Sequence, residues 1–152
     1  MPGAEGETAS MEVDTFTALD IRAEAEHLTP VRRGLLAWLR RAEVSEGRSH
    51  DITLAAYEAL ANSVEHAYGA SDNAGDEDDG PSDVTVRTIG LRASRHPDSG
   101  LVVIRVWDQG VWDTTDGGWL RGRGLPLIYA LADHVAIDSI TGTTIEMRFE
   151  GT

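Results

Sequence analysis

Two side chains near the middle of the chain are spaced to do chemistry together. In the run DITLAAYEALANSVEHAY, residues 51–68, Glu58 and Asn62 stand one helical turn apart. The run lacks proline and glycine and is rich in Ala, Leu and Glu, so it predicts a helix. A carboxylate and an amide one turn apart offer a general base and a neutral oxygen donor for a hard metal ion. The same pair also fits the polar margin of an amphipathic helix, and the helix alone leaves both readings open. Wound at about 3.6 residues per turn, the run places Leu54, Tyr57, Ala61, Val64 and Tyr68 on an apolar stripe with Leu60 at its border. Glu58, Asn62 and Glu65 flank the stripe, while Ala56, Ala59, Ser63 and His66 are expected to face solvent.

Three further pieces follow in order: Asp108-x-Gly110 at a strand end, Arg121-Gly122-Arg123-Gly124-Leu125 entering a helix, and Gly142-Thr143-Thr144 entering the last strand. Each alone is a weak signal, because an Asp-x-Gly often only closes a turn. Together, each on a suitable element, they form a set that chance does not easily assemble.

Composition narrows the field. A chain of 152 residues with 41% apolar content fits one folded domain with a single core. The absence of cysteine excludes disulfides, thiolate chemistry and Cys-based zinc sites, and the five histidines show no metal-ligand spacing. A formal charge of −13 argues against direct nucleic-acid binding, which needs a basic surface, and suits a basic protein partner. No apolar run approaches a membrane span and no signal segment opens the chain, so a cytoplasmic location without membrane contact is expected.

The elements that must position these residues can be read in order. Residues 1–16 are expected to form a loose tail, and residues 17–152 one domain. Leu19, Ile21 and Ala23 alternate with polar residues as a half-buried strand. Thr29 and Pro30 signal a helix start, Val31, Leu35, Trp38 and Leu39 its buried face, and Arg40 and Arg41 its last turn. Residues 43–50 read as a polar connection. Residues 71–83 form an acidic surface loop whose spacing does not fit a calcium-binding hand. A strand with a register shift near Gly90, a turn at residues 96–100 and the apolar strand LVVIRVW predict a hairpin in the middle of a covered sheet. Residues 111–123 read as a loop, residues 125–134 as a helix, and residues 135–140 and 143–149 as a closing hairpin with Ile145, Met147 and Phe149 on one face. This order predicts an α+β fold: a two-layer α/β sandwich with a mixed, mostly antiparallel sheet covered on one face by helices.

The set resembles the Bergerat (GHKL) ATP-binding superfamily, and within it the small stand-alone anti-sigma-factor serine/threonine kinases. EALANSVEHAY looks like that family's N box, VWDQG like its first glycine box, GRGLPLIYALAD like its second and GTTIEMRF like its terminal strand. The resemblance implies ATP and Mg²⁺ as cofactors, with Asn62 as metal ligand and Glu58 as general base toward the γ-phosphate. It implies that Asp108 accepts a hydrogen bond from the adenine amine, that Gly110 lets the backbone approach the base, and that Thr144 helps hold adenine. Gly122, Arg123, Gly124 and Leu125 would meet the phosphates at a helix start. It further implies a sigma factor and a STAS-type anti-anti-sigma protein as partners, and homodimerisation. Trp112 stands where the family often has a second glycine, and the lid at residues 111–123 is short. A non-catalytic nucleotide-binding module that binds a protein partner is the alternative these departures favour.

Overall fold

The computed structural model describes residues 13–72, 88–108, 124–139 and 142–152. Strand β1 (Asp14–Arg22) begins before the expected Leu19 and carries an irregularity. Ala18 pairs with Leu91 and Ile21 with Ile89, so Leu19 and Asp20 together oppose Gly90. Asp20 takes a φ of 54°, and the bulge leaves Leu19 60% exposed while Ile21 turns inward. The register shift expected near Gly90 therefore lies in the strand facing it. Gly90 itself is pinned: a Cβ there would run into the Trp107 indole, its cross-strand partner.

A short 3₁₀ turn (Ala25–His27) leads into helix α1 (Leu28–Arg41), which starts just ahead of Thr29 and has no side-chain cap. Val31, Leu35, Trp38 and Leu39 are buried as their spacing requires, and Phe16 of β1 meets Trp38 with ring centroids 6.4 Å apart. Helix α2 (Glu46–Asp72) takes in most of the segment expected to be a polar connection and extends to Asp72. The remaining elements are β2 (Thr88–His96), β3 (Leu101–Asp108), helix α3 (Gly124–Leu131), β4 (His134–Asp138) and β5 (Thr143–Phe149). Helix α3 is shorter than expected, because His134 already belongs to β4.

The strands form one sheet in the order β1-β2-β3-β5-β4, and every described pairing is antiparallel. Leu91 and Ala93 of β2, Val102, Ile104 and Val106 of β3, and Ile145, Met147 and Phe149 of β5 are buried on one face. The helices cover that face, which makes the expected α+β two-layer sandwich. Among the described residues no helix covers the other face, called the open face below. This corrects the reading of β3 as a strand covered on both sides: Arg105 is exposed, and Leu101, Val103 and Trp107 are only half-buried.

Helix α2 lies on the sheet and packs against α1 on one side and α3 on the other. Ala55, Ala56, Ala59 and Ser63 are buried and Leu54 is 41% exposed, so the expected solvent face of Ala56, Ala59 and Ser63 is in fact core. The physical reason is neighbour number. A helix with a sheet beneath and a helix on each flank buries most of its circumference, and small residues let those neighbours approach closely.

Candidate functional site

Arg48, in the first turn of α2, fixes how the elements line up. Its guanidinium donates to the Asp133 carboxylate and to the Glu150 carbonyl at 2.8 Å, and it lies 5.6 Å from the Phe149 ring centroid. Asp133 also accepts the Glu150 N–H at 2.7 Å. The start of α2 is thus tied to the segment just past α3 and to the end of β5. Because α2 and α3 pack side by side with opposite ends meeting, they run antiparallel.

Distances along the layer follow from standard rises. Back from Asp133, α3 covers about 13 Å at about 1.5 Å per residue, which brings Gly124 level with roughly Tyr57 and Glu58. Val102 pairs with Phe149 at the Arg48 end, and the strand from there to Asp108 spans about 20 Å at about 3.4 Å per residue. That length matches about thirteen helical residues, ending near Asn62. Glu58, Asn62, Gly124 and Asp108 therefore fall at the same end of the molecule, on the helix-covered side of the sheet.

The local environments differ. Asn62 is buried, at 8% exposure, in the stretch of α2 that lies level with the end of β3. A neutral amide oxygen is a donor type that suits a hard cation which keeps most of its waters. The residue thus fits a Mg²⁺ ligand on its own chemistry. Glu58, one turn earlier, is half-buried, and Glu65 is exposed. Asp108 is half-buried at the end of β3 and stands between Ile89 and Thr143 in the ladder.

The first N–H groups of α3 have no partner within the helix, apart from Pro126, which has no N–H. Leu125 is 1% exposed, so its side chain anchors the helix in the core and only its backbone could meet a ligand. Gly110, Gly122 and Arg123 lie outside the described residues.

Thr144 is not on this side. It pairs with Trp107 and Asp138 on the open face of the sheet, whereas Thr143 pairs with Asp108 and is buried on the helix-covered face. The signal for Thr143 was present in the strand itself, because Ile145, Met147 and Phe149 share its parity and Thr144 does not.

Among the described residues no helix is long and apolar enough to cross a membrane. No curated protein matches the sequence. Among solved structures, a chain of the SiaB–SiaC complex from Pseudomonas aeruginosa superposes with a TM-score of 0.61 at 11% identity, over 97% of this chain and 95% of that one. The family described as the histidine kinase-like ATPase domain matches residues 21–149, which takes in every element from the end of β1 to the end of β5. The chain belongs to the histidine kinase-like ATPase domain family.

Proposed function

We propose that this protein is an ATP- and Mg²⁺-dependent serine/threonine kinase acting as an anti-sigma factor. Its substrate is the Ser or Thr hydroxyl of a STAS-type anti-anti-sigma protein, and in the other half of the switch it holds a sigma factor. The observation that supports this reading is Asn62, buried on α2, one turn from Glu58 and level with Asp108.

In this reading Glu58 takes the proton of the attacking hydroxyl as the new O–P bond forms and the bond to the ADP leaving group breaks. Bound Mg²⁺ supplies charge neutralisation on the phosphates, and Asn62 holds it from the protein side. Asp108 orients the base through the adenine amine. Thr143 supports Asp108 in that role in place of Thr144, because it shares the Asp108 face of the sheet. The start of α3 presents N–H groups to the phosphates. A protein partner is consistent with the SiaB–SiaC structure, which is itself a complex.

Incubation with radiolabelled ATP and candidate STAS proteins tests the assignment. The expected result is label on the partner, lost in Glu58→Gln with ATP binding retained. Nucleotide binding without transfer to any partner would replace the kinase with a regulatory module, the reading that Trp112 and the short lid favour.

A further inference from the structure

The open face of the sheet carries a charge pattern opposite to that of the chain. The protein has 26 acidic residues against 13 Lys and Arg. Yet a depression of 420 Å³ on this face is lined by Arg92, Arg105 and Arg148, with Val13, Thr15 and Val103 among its other walls and no carboxylate among the described residues. A second depression of 310 Å³ adjoins it across Arg105, bounded by Ala136, Asp138, Thr144 and Glu146, so two carboxylates stand against the three arginines of the two depressions.

The three guanidiniums are not equally satisfied. Glu146 accepts from Arg105 Nε at 2.7 Å and from Arg148 Nε at 2.9 Å, so one carboxylate answers two arginines. Arg92 is exposed and has no acidic partner among the described residues. Each shared arginine also keeps N–H donors beyond the one given to Glu146. The face therefore holds surplus positive charge over a floor that includes Val13, itself 40% exposed, and half-buried Val103.

We propose that this face docks an acidic segment of a partner protein, with carboxylates entering the depression against Arg92, Arg105 and Arg148. Carboxylates match the fork geometry of guanidinium, and the Val floor suits the aliphatic parts of a polypeptide. A short acidic segment fits within the patch, whereas a long nucleic acid would run past it onto a body of charge −13. A second copy in a two-fold contact would bring this same arginine-bearing patch against itself. The surface lies across the sheet from Glu58 and Asn62 and stands independently of the nucleotide reading.

The test uses the full chain and a short fluorescent polyglutamate peptide, followed by anisotropy at low and high salt. Wild type is expected to bind in a salt-sensitive manner. Arg92→Glu weakens binding by about tenfold or more, Arg92→Gln by less, and Arg33→Glu on the exposed side of α1 leaves it unchanged. Unchanged melting temperatures exclude unfolding as the cause. No binding, or equal losses for Arg92→Glu and Arg33→Glu, overturns the proposal. So does tighter, Arg92-dependent binding of an oligonucleotide of equal charge, or sedimentation showing a dimer that Arg92→Glu dissociates.

Discussion

Asp108 and Thr143 stand opposite each other across the β3–β5 ladder, both on the face that the helices cover. Thr144, the next residue, pairs with Trp107 on the other face. The adenine-holding role that resemblance assigns to Thr144 is accordingly proposed for Thr143. Thr143→Val should weaken ATP binding by roughly fivefold to tenfold, the worth of one hydrogen bond, while Thr144→Val leaves it unchanged. Isothermal titration of both variants separates the two positions, and the reverse ranking would return the role to Thr144.

Gly90 and Trp107 form a matched pair on the open face. An added Cβ at Gly90 meets the body of the indole, so either the ring or the strand must shift. Gly90→Ala should cost about 1–3 kcal/mol in urea unfolding. In a Trp107→Leu background the same substitution should cost less than about 0.5 kcal/mol, since the obstructing ring is gone. Equal costs in both backgrounds would show that the backbone, and not the indole, rejects the side chain.

The sheet layer was legible because alternation survives in it. The β2–β3 hairpin, the closing β4–β5 hairpin and the buried row Ile145, Met147 and Phe149 all follow from period-two patterning. Helix α2 was legible as a helix but not in its facing. Ala56, Ala59 and Ser63 are weakly apolar, and nothing in sequence spacing says that α1 and α3 will flank them. The bulge at Leu19 and Asp20 was missed because Asp20 needs a positive φ, which an aspartate tolerates without announcing it. Motif spacing singled out Glu58, Asn62 and Asp108, which the fold brings to one end of the molecule, whereas strand parity puts Thr143 and not Thr144 on their side of the sheet.

Two carboxylates make stability depend on acid. The Glu150 N–H, with help from Arg48, holds Asp133 below the ordinary 3.8. Burial alone would raise Glu146, but hydrogen bonds from Arg148 and Arg105 outweigh it and hold the group below 4.5. Folded values below unfolded ones mean that the unfolded chain takes up protons first as pH falls. Their contribution is complete above these ordinary values and is lost as pH drops through the lower folded values. Asp133→Asn keeps an acceptor and removes the charge, so it should cost about 1 kcal/mol or less at neutral pH and less near about pH 3. Urea unfolding at the two pH values checks the difference, and a cost independent of pH would assign the effect to packing.

The account turns on Asn62 of α2 facing a nucleotide whose base is oriented by Asp108. Mg²⁺-dependent ATP binding, measured by titration calorimetry on wild type and Asn62→Ala with folding verified by thermal melting, tests this most directly. Wild type should gain about tenfold or more in affinity when Mg²⁺ is added, and the folded Asn62→Ala variant should lose that gain while binding metal-free ATP as before. A folded Asn62→Ala variant that keeps the full Mg²⁺ response would contradict the account.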